Sequence, residues 1–328
     1  KMIHVMRPEA GSYTSNMVAA STLFGTTLDD RCGSTAFHDG NDGLCGLWLK
    51  VRGGRSTYTV SDGQTQNVSH RMVYQMGGDI SGFSTTGDDW LRLGVMAGYG
   101  KQKTRSHNRY SGYDSVGYLD GYGVGLYGTW SQNRYSDAGL YVDSWVLYNW
   151  FDNEIKGDGL AAERYTSKGG AASVSAGYRY HAGSYTTDGG MENNIWLRPH
   201  AQVLWSGIKT NEFTEHNGTR VSPEGEGSVH TQLGMRLSMT DQSHIDRGTS
   251  REFEPFMDVA WSHNNRKYGV TMNGVSTYAD GIRNTANLTF GVNGRLNDNL
   301  NIHSNVTRTW GAAGYSDTSG VLGIKYDF

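Results

Sequence analysis

From residue 46 to the C-terminus the chain alternates apolar and polar residues with a period of two, the pattern of strands whose faces meet different surroundings. The segment SVHTQLGMRLSM is the clearest: Val229, Leu233, Met235, Leu237 and Met239 fall on one face, His230, Gln232, Gly234, Arg236 and Ser238 on the other. Leu47, Leu49 and Val51 likewise oppose Trp48, Lys50 and Arg52. Further segments read the same way, among them WLRLGVMAGYGKQ, AASVSAGYRY, NIWLRPHAQVLW and EFEPFMDVAW. LYVDSWVLYNWF is apolar on both faces and cannot be oriented from its pattern. The pattern predicts about twelve strands, each long enough to cross a bilayer at a tilt. The connections also suggest two sides. Asn297-Asp298-Asn299 is a short turn, whereas NEFTEHNGTRVSPEGEG and NRKYGVTMNGVSTYADG are long and polar.

One stretch, Ser12 to Gly33, breaks the alternation. Met17, Val18, Ala20, Leu23, Phe24 and Leu28 recur near helical spacing, so a single helix is predicted. Ser12 is its expected N-cap, and Gly33 stands just past its expected end. Its remaining surface is small and hydroxylated rather than charged, which suits a narrow polar channel better than an oily core. Tyr13 to Asp30 would span about 27 Å as a helix, close to the hydrocarbon thickness. The chain divides into 1–44, a linker with a pore helix at about 12–31 and a periplasmic loop, and 45–328, a barrel.

Composition sharpens this reading. The chain has 46 Gly and 20 Tyr but is only 36 % hydrophobic. That balance resembles a disordered chain until the 12 % aromatic content is counted, because disordered segments are poor in aromatics. A strand protein with one wet face and one aromatic-rich face accounts for both. Mean hydropathy of −0.57 does not argue against a membrane, since barrel strands hide their apolar face from averaging. Trp90, Trp130, Trp150, Tyr180, Trp205, Trp261, Trp310 and Phe328 fall near strand ends, where interfacial girdles belong. A net charge of −3 offers no basic field for nucleic acid. The two cysteines, Cys32 and Cys45, flank a short loop and are expected to form a disulfide, with two separate thiols as the alternative. Neither a metal site nor a cofactor is expected, because the His and Cys spacing fits no ligand set.

A barrel of about twelve strands encloses more room than its own side chains fill, and a helix about 10 Å across fits there. Glu252, Glu254 and Asp258 are expected to pair with Arg179, Arg198 and Arg236 in a wet lumen and to contact the helix. With an even strand number, both barrel termini lie on the periplasmic side. The helix then runs from outside to inside, and Lys1 lies at the cell surface.

Three motifs in this order resemble the C-terminal translocator of classical monomeric autotransporters, the type Va secretion family. EAGSYTSNMVAASTLF followed by LDDRCG is similar to the family's helix-and-entry motif, with Tyr13, Asn16, Ala20, Phe24, Leu28, Asp30 and Arg31 in matching places. FEPFMDVAWSHN is similar to its late-strand motif, through Pro255, Phe256 and Trp261. GVLGIKYDF resembles the outer-membrane assembly signal, through Gly323, Tyr326 and Phe328. The wording is nearest to translocators of the diffuse-adherence adhesin type. The resemblance implies an all-β fold, a twelve-stranded antiparallel transmembrane barrel with an N-terminal helix in its pore. It implies a monomer that exports and anchors its own passenger, an adhesin. The implied partners are outer-membrane lipid, the barrel-assembly machinery, periplasmic chaperones and that passenger domain.

Some members of the family cut their passenger at an Asn-Asn bond in the helix. Here Asn193-Asn194 and Asn264-Asn265 lie elsewhere and Asn16 precedes Met17, so that cleavage is not expected. The rival functions are a porin and an outer-membrane protease. Asp88 and Asp89 would be the protease's acids, but they fall in a periplasmic turn, and no Ser-His-acid set has a supporting context. No enzymatic activity is expected.

Overall fold

The computed structural model describes residues 2–32, 46–190, 192–242 and 251–328. Twelve strands, labelled β1 to β12, form one closed antiparallel ring: Leu47–Val60, Thr65–Phe83, Trp90–Asn108, Asp114–Ser131, Gly139–Gly157, Glu163–Thr186, Glu192–Ser206, Ser228–Gln242, Glu252–Asn264, Asn284–Arg295, Leu300–Gly311 and Ser316–Tyr326. Each pairs with its sequence neighbours, and β1 closes on β12 from Leu47↔Tyr326 to Thr57↔Ser316. Closure leaves no edge strand, so the ladders run between neighbours all round the ring, with irregularities at Asp79/Ser81 and His181/Gly183.

The alternation decides which face looks inward. Trp48 and Lys50 are buried in the barrel, while Leu47 and Leu49 are exposed on its outer wall. The aromatic residues Trp150, Trp205, Trp261 and Trp310 are also exposed. Trp205, Trp261 and Trp310 lie within a few residues of the extracellular ends of their strands, and Tyr326 and Phe328 lie at the opposite end. The ambiguous strand β5 resolves as well. Tyr141, Asp143, Trp145, Leu147 and Phe151 point inward, and Leu140, Val146, Tyr148 and Trp150 point out. Its inner face carries the large apolar residues Trp145, Leu147 and Phe151 because Phe24 and neighbouring side chains pack against them.

The difference between the two ends is narrower than the sequence suggests. Most extracellular connections, such as 61–64, 109–113 and 312–315, are as short as the periplasmic ones. Only 207–227 and 265–283 are long. They build a separate four-stranded sheet from Phe213–Thr214, Arg220–Glu224, Gly269–Met272 and Val275–Tyr278. That sheet folds over the mouth: Val221, Val270 and Met272 pack on Ala10 and Tyr13.

The segment before the barrel also departs from expectation. Instead of one helix from Ser12, α1 runs Glu9–Thr22 and α2 runs Leu28–Cys32. Pro8 occupies the N-cap of α1, and Ser12 lies inside the helix. Proline suits a helix start because its missing N–H has no partner there anyway. The break falls at Gly25-Thr26-Thr27, where helix propensity is low. At 1.5 Å per residue, the 14 residues of α1 span about 21 Å, less than the hydrocarbon core. Gly33 and Cys45 lie outside the described residues, as does the expected loop between the cysteines.

Candidate functional site: the occupied lumen

Helix α1 lies inside the barrel, against β2 to β5 on one side and the extracellular sheet on another. Its hydroxyl face is bonded to the wall. Ser12 Oγ lies 3.0 Å from Ser106 Oγ and 2.9 Å from Ser115 Oγ. Ser15 Oγ lies 2.9 Å from Ser69 Oγ and 2.7 Å from Thr104 Oγ1. Asn16 Nδ2 donates to Tyr118 O and Asn153 Oδ1, both at 3.0 Å. Tyr13 OH donates to Glu215 Oε2 at 2.9 Å, and Arg7 pairs with the same carboxylate at 2.7 Å. Met17 packs among Tyr58, Val60, Tyr268 and Ile282.

Close approach needs small wall residues. A Cβ on Gly98 would sit 3.0 Å from the Phe24 ring, and one on Gly100 would sit 2.6 Å from Leu23 Cδ2. Gly11 is the helix's own contribution: a Cβ there would meet Asn67 Oδ1 at 2.4 Å. Beyond α1, Phe24 stacks on Phe151 with centroids 5.7 Å apart, its carbonyl accepts from Gln75 Nε2, and Thr26 O accepts from Trp145 Nε1. Ala20 and Leu28 are buried in the same interior.

Helix α2 is held by charge. Its start is a reciprocal cap: Thr27 N–H donates to Asp30 Oδ2 at 3.2 Å, and Asp30 N–H donates to Thr27 Oγ1 at 3.3 Å. Three consecutive residues then reach three parts of the ring. Asp29 takes a two-pronged pair from Arg198 of β7, at 2.9 and 2.7 Å, with Arg236 of β8 at 3.6 Å. Asp30 faces Lys50 and Arg52 of β1, at 3.5 and 3.0 Å. Arg31 bonds Asp143 of β5 and lies over the Tyr127 ring, 4.4 Å from its centroid. Cys32 is buried below, with Arg92 Nη1 3.9 Å from its sulfur.

The charged residues singled out from sequence are only partly brought together. Arg179 bonds Glu254, and Arg236 bonds Asp258 at 2.9 Å. His200 joins the second pair, with Nε2 2.7 Å from Asp258. Arg198 turns to Asp29 of α2, and Glu252 lies 3.9 Å from Arg295. Asp29, Asp143 and Lys50 were missed as partners. Asp143 carried a usable signal, as the one acid in the doubly apolar segment 140–151, spaced two residues from both Tyr141 and Trp145. Gly323 faces the lumen, where an added Cβ would strike the His303 ring. Tyr326 and Phe328 stand outside, rings edge to face at 5.6 Å. Asp89 organises its turn, taking bonds from Ser84, Thr85, Thr86 and Trp130.

The helix fills the lumen off-centre. A cavity of about 390 Å³ remains between Val18, Ser21 and Thr22 of α1 and a polar wall that includes Arg71, Asp258 and Asp317. The arrangement can hold a polypeptide by side-chain and charge contacts while leaving a wet path beside it. Among the described residues no cluster of potential metal ligands occurs.

Comparison with known proteins agrees with this architecture. The autotransporter β-domain family signature matches residues 47–307. YuaQ of Escherichia coli K12 is 42 % identical over 98 % of the chain, and the autotransporter adhesin AIDA-I of Escherichia coli is 36 % identical over 98 %. The chain spans only 24 % and 25 % of the length of those two relatives. The crystal structure of the AIDA-I transport unit superposes with a TM-score of 0.89 at 34 % identity, covering 98 % of this chain and all of that one. The translocator domain of NalP from Neisseria meningitidis shares the fold, with a TM-score of 0.61 at 14 % identity, over 97 % of this chain and all of that one. A twelve-stranded barrel threaded by its own N-terminal helix, with this match along nearly its whole length, belongs to the autotransporter β-domain family and is a type Va translocator barrel of the bacterial outer membrane.

Proposed function

We propose that this barrel exports a passenger joined to its N-terminal side and then anchors it, with α1 and α2 the segment left in the pore. The observation that carries this is the helix path. Glu9 sits at the extracellular mouth beneath the 207–227 and 265–283 sheet, and Cys32 sits near the periplasmic ends of the strands. A segment upstream would therefore emerge outside. The likeness to AIDA-I supports an adhesin as passenger. The barrel acts without chemistry of its own, as a monomer, and depends on barrel-assembly machinery and periplasmic chaperones for insertion. A Cys32–Cys45 disulfide would tie the foot of the linker to the start of β1; peptide mapping with and without reductant tests that bond. The export reading is tested by placing a signal peptide and an epitope-tagged reporter upstream of Lys1 in a Gram-negative host. Surface labelling of the tag supports it. A tag that stays periplasmic while the barrel inserts normally defeats it.

A further inference from the structure

The outer wall of β1 to β3 carries a feature that export does not use. Tyr74, Tyr99 and Tyr122 lie side by side on β2, β3 and β4, in register, with ring centroids 6.5 and 5.2 Å apart. Tyr74 and Tyr122 are exposed. Tyrosine rings gather where hydrocarbon gives way to head groups, so this row marks the extracellular interface. Lys101, Lys103 and Arg105 follow Tyr99 at two, four and six residues toward the outside, all on the outward face of β3. At about 2.5 Å of height per residue in a tilted strand, they stand roughly 5 to 15 Å above the tyrosines. The ladder sets Lys103 beside His70 of β2, and His70 beside Arg55 of β1, both exposed on the same face.

These cations have little local opposition. The outward positions in the extracellular halves of β1, β2 and β3 hold no carboxylate. The nearest acids on the same surface lie on β4. Asp120 stands opposite Lys101, and Asp114 is engaged with His107 at 2.5 Å. Lys103 rests over the Tyr118 ring at 5.5 Å, which fixes its height without neutralising it. A basic cluster facing out into a membrane, just above an aromatic row, has the geometry for phosphate groups of lipid heads.

We infer that Arg55, His70, Lys101, Lys103 and Arg105 form a binding site for the phosphorylated head group of an outer-leaflet glycolipid. The inference rests on the outer-membrane placement and is independent of what is exported. The test is native mass spectrometry of the full chain, titrated with diphosphorylated lipid A and with the same lipid after removal of its phosphates. The wild-type chain is expected to bind the phosphorylated form on the order of 10-fold or more tightly. The triple variant K101Q/K103Q/R105Q, checked for folding by heat-dependent gel mobility, is expected to lose that preference. Equal binding of the two lipids by the wild-type chain overturns the proposal and needs no variant. Undiminished preference in the folded triple variant also overturns it. Orthophosphate binding as tightly as the lipid would replace it with a free-anion site. Reporter export by the triple variant separates this site from the export reading, since loss of lipid preference with export intact supports the one without touching the other.

Discussion

At the scale of single residues, the helix side chains that look weakest in a sequence are the ones with the most specific contacts. Ser12, Ser15 and Asn16 could not stabilise a helix against an apolar core, yet each meets hydroxyl or amide groups on the wall. Each such bond contributes about 0.5–1.5 kcal/mol net. The charged contacts are fewer and more fully enclosed. Arg31 and Asp143 are both almost completely buried, so removing one partner strands the other. Arg31→Met is expected to destabilise the helix-bound state by about 3–5 kcal/mol. The double change R31M/D143L should recover most of that loss. Thermal unfolding of both variants in detergent checks the pair, and equal losses would refute the coupling. At the periplasmic surface, hydrogen bonds from Thr85 and the Thr86 backbone, with the Trp130 ring, hold the Asp89 carboxyl well below its ordinary value. A depressed carboxylate stabilises the fold above its unfolded pKa of about 3.9, and this is lost as pH falls below that. Asp89→Asn should therefore lower the unfolding temperature at neutral pH, with the gap to wild type shrinking below about pH 4.

At the scale of elements, the broken helix and the strand β5 explain each other. Phe24 and Thr26 leave helical geometry to meet Phe151 and Trp145, so β5 adds large apolar residues to an inner face that also carries Asp143, Asn149 and Asn153. That is why its pattern was unreadable alone: both of its faces meet apolar matter, one lipid and one helix. The start of α2 was legible in principle, since Thr27 and Asp30 have capping-box spacing. The start of α1 was misjudged because a serine is a good cap in general, and only the wall shows that Ser12 is occupied elsewhere. The close seat of α1 gives a direct test. Gly11→Leu places a branched side chain against Asn67, Thr65 and Ser106, contacts already under 3.1 Å for a bare Cβ. Overpacking of this kind costs about 1–3 kcal/mol. The variant should shift the helix and raise channel conductance without altering strand content by circular dichroism; unchanged conductance would mean the wall yields instead.

At the scale of the whole molecule, closure with twelve strands sets a lumen large enough for a helix and a water path beside it. The intact chain in planar bilayers is expected to conduct weakly through that path. Deleting residues 1–31 should enlarge the conductance several-fold, and equal conductance from both forms would show that α1 does not plug the pore. Within the intact chain, Asp29, Asp30 and Arg31 brace the linker against β1, β5, β7 and β8 at once. High salt weakens the exposed members of such a brace more than the buried ones. Conductance should then rise with salt beyond the bulk increase in the wild type, and less so in Arg52→Gln, which already lacks the partly exposed pair with Asp30.

The sequence by itself determined the barrel, its inward and outward faces, the approximate strand count and the presence of a lumen helix. A period of two with lipid on one side is a local rule that every strand except β5 obeys alone. Tertiary structure alone decided which arginine meets which acid, and that two long loops close over the mouth. Those outcomes depend on residues far apart in the chain and near in space, such as Arg31 with Asp143 and Ala10 with Val221, and no local pattern carries them.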